Sequence, residues 1–132
     1  MAHARPPVKE GSADFGPAFE SYIFHESKTY VDYRRGEVSV NYWRTTSNFK
    51  VDFIIGDQVA LEVKAKSEIG RRDLVGLQAL ADEEIPLRLI VVCFEEKRRE
   101  VEIPRKKGPG TFKIEIWPWS QFLEHLWADL LL

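Results

Sequence analysis

The segment Val51–Lys64, VDFIIGDQVALEVK, limits the possible folds more than any other stretch of this chain. Val51, Phe53 and Ile55 are apolar at alternate positions, and Val59, Leu61 and Val63 repeat the pattern beyond Gly56–Asp57. Period-two alternation on both sides of a Gly-Asp turn marks a β-hairpin with one buried face. Directly opposed residues share a face, so both apolar sets reach one core only if odd-numbered residues oppose odd-numbered residues. A two-residue loop at Gly56–Asp57 would set Phe53 against Ala60 and turn Glu62 in among the apolar side chains. Such a one-residue slip inverts every side chain of the strand. A three-residue loop, or a bulge, opposes Phe53 to Leu61 instead. The other face then carries Asp52 beside Glu62, with Lys64 two residues further on.

Adjacent carboxylates repel and require a positive partner. Oxygen ligands at this density suit a hard divalent ion, Mg²⁺ or Mn²⁺. Such an ion polarises a phosphoryl oxygen and acidifies a bound water, while a lysine orients that water or stabilises the attacked phosphate. The alternative is an exposed hairpin face that acids and a lysine merely solvate, and bare Asp…Glu-x-Lys triples are common by chance. The forced register and the mid-strand position of Glu62 weigh against it. So do two polar residues on helical stripes. Glu20 falls within the stripe Phe19, Ile23, Phe24, and Gln78 within Leu74, Leu77, Ala81.

The rest of the chain supplies a sheet and helices around this hairpin. Residues 1–14 are small, polar and Pro-bearing and are expected to be a flexible lead-in or a cut linker, leaving residues 15–132 as one domain. A helix is predicted over Phe15 to about Tyr33, with strands over Glu37–Thr45, Phe49–Ile55 and Gln58–Lys64. A helix over Arg72–Glu83 follows, then the nearly all-apolar strand Leu87–Phe94, which suits burial on both faces. A short strand at Val101–Ile103, a strand at Thr111–Trp117 and a helix opened by Pro118 complete the order α-β-β-β-α-β-(β)-β-α. This is an α/β domain, a mixed sheet flanked by helices. Trp43 is assigned to the core.

Bulk properties exclude several classes. Cys93, the lone cysteine, lies in an apolar run and reads as a buried strand residue in a reducing compartment. No apolar stretch is long enough to cross a bilayer and no signal-peptide core is present, so the expectation is a soluble, cytoplasmic protein. With a net charge of −2 and pI about 5.9 the chain is no polycation. Ten of its 19 basic residues fall into four short clusters, Arg34–Arg35, Arg71–Arg72, Lys97–Arg99 and Arg105–Lys107, each of which alone is an ordinary solvated turn or helix end. His3, His25 and His125 lack partners at ligand spacing, and Ser47 and Ser67 lack a base. Joint exposure of Trp127, Leu130, Leu131 and Leu132 would mark a subunit contact and a homodimer.

The order of helix Glu20, strand Asp52, strand Glu62-x-Lys64 and helix Gln78 resembles the PD-(D/E)XK nuclease superfamily, with its restriction-endonuclease-like fold. The chain is similar in particular to the module at the C-terminal end of many prokaryotic AAA-type ATPases. Phe19–Glu20, Tyr42–Thr45, Val51–Phe53, Glu62–Lys64 and Gly76–Leu77 carry that likeness, over about residues 15 to 126. The resemblance implies Asp52 and Glu62 as metal ligands, with the Val63 carbonyl as a further one. It implies Lys64 as the catalytic amine, and Glu20 and Gln78 as supporting residues. The implied activity is a metal-dependent DNA phosphodiesterase acting on a duplex, end or junction. The other class is a non-catalytic module that binds nucleic acid or protein and serves an AAA-type ATPase. No phosphate-binding Gly-x-x-x-x-Gly-Lys-Ser/Thr loop occurs in the chain.

Overall fold

The computed structural model of the protein describes residues 15–34, 36, 38–46 and 48–132. The expected lead-in 1–14, with Arg35, Glu37 and Ser47, lies outside the described residues. The element order is α1 (Phe15–Arg34), β1 (Val40–Arg44), β2 (Lys50–Ile55), β3 (Val59–Val63), α2 (Val75–Ala81), β4 (Arg88–Cys93), β5 (Arg99–Pro104), β6 (Thr111–Pro118) and α3 (Trp119–Trp127). A 3-10 turn over Arg71–Leu74 leads into α2. The strands form one mixed sheet in the order β1-β2-β3-β4-β6-β5. β3, β4 and β6 run parallel, whereas β1 to β3 and the edge strand β5 pair antiparallel. The chain is therefore a mixed α/β domain, a six-stranded sheet flanked by three helices.

Each face of the sheet has its own apolar cluster. On one side α1 and α3 bring Phe19, Ile23, Phe122 and Leu126 onto Phe53, Leu61, Ile90 and Val92. On the other, Leu74, Leu77 and Leu80 pack on Ile54, Ala60, Val91 and Ile114. β4 contributes alternate residues to both clusters, which is why its sequence is apolar without a break. Cys93 ends that run fully buried, and burial pushes its thiol up to about 11. Arg88, at the start of β4, grips Glu115 of β6 through two bonds of 2.6 and 2.9 Å. Arg98 adds a third at 3.1 Å, with its guanidinium 3.7 Å from the Trp117 ring centroid. Arg99 is taken up by Glu95, so two of the three residues in the cluster Lys97–Arg99 hold the sheet edge together.

The hairpin takes the three-residue loop. Phe53 opposes Leu61 and Ile55 opposes Val59, with Gly56 turning the chain at φ +56°. A second irregularity lies on the far side of β2. Asn41 pairs with Ile54 but Trp43 pairs with Val51, so Asp52 and Phe53 together stand opposite Tyr42. This bulge reverses the alternation of β2 below it. Val51 therefore leaves the face of Phe53, where its sequence position had put it, and joins Ile54 and Ala60 beneath α2. Trp43 also departs from the core position expected for it. It lies 40% exposed on β1, an edge strand of the sheet. Tyr42 stacks on Phe24 at 5.4 Å.

α2 lies close against the hairpin because it carries glycine at the contact. A Cβ on Gly76 would fall 2.4 Å from the Lys50 carbonyl oxygen, which is backbone and cannot swing aside. Gly76→Ala is expected to destabilise the fold by about 1–3 kcal/mol, the usual range for overpacking. Gly16 of α1 has open space around it, so Gly16→Ala should be neutral or stabilising by up to about 1 kcal/mol. Urea unfolding of the two variants beside the wild type measures the contrast.

Candidate functional site: a carboxylate pair in the hairpin seam

Beyond Phe53–Leu61 the β2–β3 ladder gives way to side chains. The Asp52 N–H donates to Glu62 Oε1 at 3.0 Å, and the Val63 N–H donates to Asp52 Oδ2 at 2.7 Å. Carboxylate oxygens thus stand where backbone carbonyls would otherwise accept. Both residues are buried, at 7% and 5% exposure. Burying a carboxylate is expensive unless it is bonded, and each of these has one oxygen held by an amide. The bulge at Asp52 lies at this point and re-aims its carboxylate into the seam. The pair sits at the carboxyl end of β3, and the carboxyl ends of strands are where open α/β sheets bind ligands.

The two remaining oxygens face amines. Lys64 Nζ lies 3.6 Å from Glu62 Oε2. Lys50 Nζ lies 3.6 Å from Asp52 Oδ1 and equally far from Glu20 Oε1, which arrives from α1. At that length these are ion pairs rather than hydrogen bonds. The sequence reading identified Asp52, Glu62, Lys64 and Glu20, and the fold brings all four together. It overlooked Lys50. The signal was its place two residues before Asp52 on a period-two strand. Val63 belongs to the same seam through its N–H.

Gln78 does not join them. Gly76 is the α2 residue turned to Glu62, a Cβ there lying 3.5 Å from Oε1. A residue two positions on points roughly 200° round the helix, on the far side. Gln78 instead lines a groove with Arg71, Leu74 and Ile103–Lys106. The C-terminal residues also depart from expectation, since Leu131 is buried while Leu130 is exposed, so the joint patch proposed as a subunit contact does not form.

The electrostatics follow from crowding. Burial, and then the neighbouring Asp52, push the Glu62 carboxyl up to about 7, with Lys64 and the Asp52 N–H pulling back. Burial and Asp52 likewise raise Glu20 against the pull of Lys50. Burial lowers the Lys50 amine, but Glu20 and Asp52 outweigh it and the net shift is upward. Among the described residues no three His, Cys, Asp or Glu side chains group tightly enough to cage an ion. Mg²⁺, however, commonly takes one or two carboxylates and completes its shell with waters and phosphate oxygens. Asp52 Oδ1 and Glu62 Oε2, both hard donors without amide partners, fit that open mode, with Glu20 beside them.

Fold and site together define an α/β domain with a buried acidic pair at the carboxyl end of a central strand. A family model, Domain of unknown function (DUF4143), matches residues 15–117, and the chain belongs to this family. The family is associated with AAA-ATPase-containing proteins. No curated protein matches the chain.

The raised Glu62 carboxyl sets a pH dependence whose sign is fixed. In the folded chain Glu62 keeps its proton to about 7, whereas in the unfolded chain it releases it near 4.5. Its contribution to stability is full below that lower value and lost as pH rises towards 7. In EDTA the wild type should lose a few kcal/mol over this window, at roughly 1.4 kcal/mol per pH unit. Glu62→Gln should be flatter over the same range. Thermal unfolding at stepped pH checks it.

Proposed function

We propose that this domain is a metal-dependent phosphodiesterase acting on DNA, with a PD-(D/E)XK-type site formed by Asp52, Glu62 and Lys64. The observation that carries the reading is the buried pair itself. Two carboxylates share a seam with one oxygen each turned outward, and an amine stands 3.6 Å from one of them. A bound Mg²⁺ or Mn²⁺ would supply Lewis acidity toward a phosphoryl oxygen and lower the pKa of a coordinated water. Asp52 and Glu62 would hold it, with the Val63 carbonyl as a further donor by likeness to the superfamily. Lys64, about one-third exposed, can reach a water or phosphate oxygen without leaving Glu62. Glu20 and Lys50 fix the charge and aim of Asp52 from the other side.

A second reading has its own support. The family is associated with AAA-ATPase-containing proteins, and the carboxylates are already neutralised by Lys50 and Lys64. Both suit a non-catalytic module of the same fold that binds nucleic acid or protein beside an ATPase domain.

Two measurements separate these readings. Mg²⁺ or Mn²⁺ at about 100 times its Kd should stabilise the wild type by roughly 2.7 kcal/mol by mass action. Asp52→Asn and Glu62→Gln should lose most of that increment, and equal metal shifts in all three would place the ion elsewhere.

Incubated with duplex, branched and single-stranded DNA, the wild type should cleave in Mg²⁺ or Mn²⁺ and not in EDTA. Lys64→Ala should cut at least about 100-fold more slowly, the cost of losing one transition-state charge partner. Its fold should survive, because the Lys64 side chain is about one-third exposed and its ion pair with Glu62 is a long one at 3.6 Å. A wild type that binds DNA but never cuts any form would favour the second reading.

A further inference from the structure

The 3-10 turn, α2 and the end of β5 enclose a groove of about 260 Å³ on the far side of the helix from Gly76. Arg71, Leu74 and Gln78 form one wall, spaced along a single helical face, and Ile103, Pro104, Arg105 and Lys106 form the other. Three cations and a carboxamide thus surround a floor of Leu74, Ile103 and Pro104. Among the described residues no carboxylate lines it. Two larger grooves differ: one, which Arg105 also borders, carries Glu84 and Glu115, and the other Glu68, Glu95 and Glu96.

The cations are also free of acidic partners, Arg105 making only a loose contact with the Phe112 ring at 6.0 Å from its centroid. Among the described residues no carboxylate pairs with Arg71, Arg105 or Lys106, whereas Lys66, Arg88, Arg98, Arg99 and Lys113 all have acidic partners. The β5 wall is held in place by the hairpin behind it. The Arg105 N–H donates to the Gly110 carbonyl at 3.1 Å, and Gly108 and Gly110 take the positive φ that the turn demands. Like charges held together on fixed backbone repel unless an anion joins them. The volume falls below the usual range of about 300–1,000 Å³ for small-molecule sites, and guanidinium groups match the oxygens of a phosphate. Two of the four basic clusters of the sequence, 71–72 and 105–107, meet here. Gln78, a polar break in the apolar stripe of α2, finds its place here too.

We propose that this groove, lined by Arg71, Gln78, Arg105 and Lys106, is a second anchor for a nucleic-acid backbone, gripping a phosphate away from the carboxylate pair. The proposal rests on the nucleic-acid reading of the domain and adds to it a docking surface outside the site of chemistry. It explains how a chain of net charge −2 could hold a polyanion: the positive charge is local.

The test is DNA affinity measured at several salt concentrations for wild type, Arg105→Ala/Lys106→Ala, Arg71→Gln, and the control Lys28→Ala. Lys28 is an exposed cation of α1 already paired with Asp32. Wild type should bind with a salt-dependent affinity. The double variant should bind at least about ten-fold more weakly, with a slope of log K against log salt smaller by about 0.9, one phosphate contact's worth. Arg71→Gln should lose about half of that slope, and Lys28→Ala none. All the substituted side chains are partly or fully exposed, so thermal unfolding and any Mg²⁺ shift at the carboxylates should stay at wild-type values. Wild-type affinity and slope in the double variant would overturn the groove while leaving the carboxylate reading intact. Failure of wild type to bind any DNA at low salt would overturn both. Binding of polyglutamate but not DNA, lost in the double variant, would overturn the nucleic-acid assignment in favour of an acidic protein partner.

Discussion

Two backbone amides, those of Asp52 and Val63, find their acceptors in each other's neighbouring carboxylates rather than across a strand ladder. Most of the site's arrangement depends on that exchange. It satisfies donors that a parted pair of strands would leave buried and empty, and it fixes one oxygen of each carboxylate. The other oxygen of each is left facing outward to an amine. A site that must hold charge needs such preorganisation, because a carboxylate free to rotate would turn to the nearest donor or to water.

The surrounding packing follows from the need to shield this seam on both faces. α1 covers one side and supplies Glu20. α2 covers the other and comes close only because Gly76 removes the side chain that would strike the Lys50 carbonyl. The bulge opposite Tyr42 serves the same end. It lets β2 present Phe53 to one core and Val51 to the other while Asp52 is aimed between them. The cost is electrostatic. Burial and mutual repulsion raise the Glu62 carboxyl, and the balancing cations Lys50 and Lys64 stand at 3.6 Å, where another cation could compete with them. Functional sites are where such tension is usually found.

Much of this was legible in the chain itself. The element order, the all-apolar β4 and the three-residue loop follow from hydrophobic period and from the rule that opposed residues share a face. Asp52, Glu62 and Lys64 stood out as candidates because that register allowed no other face for them, and Glu20 because it broke an apolar stripe. Gln78 also breaks an apolar stripe, yet it lies elsewhere. A polar break in a stripe says that a side chain needs a polar partner, not which partner it will meet, and α2 has a groove on one flank and the carboxylates on the other. Trp43 was misplaced because an aromatic in an alternating run looks buried whether its strand is central or at the edge.

The sequence by itself determined which residues could share a face, how the hairpin turns and where charge interrupts the apolar pattern, because these depend on period and local geometry. Only the tertiary structure decided which flank of α2 meets Glu62, that β2 bulges against β1 and sends Val51 beneath α2, and that Arg71 meets Arg105 and Lys106 across a groove. Those outcomes depend on how helices and strands far apart in the chain are oriented when both faces of the sheet are covered. That orientation is set by the packing of the whole molecule and is written in no single segment.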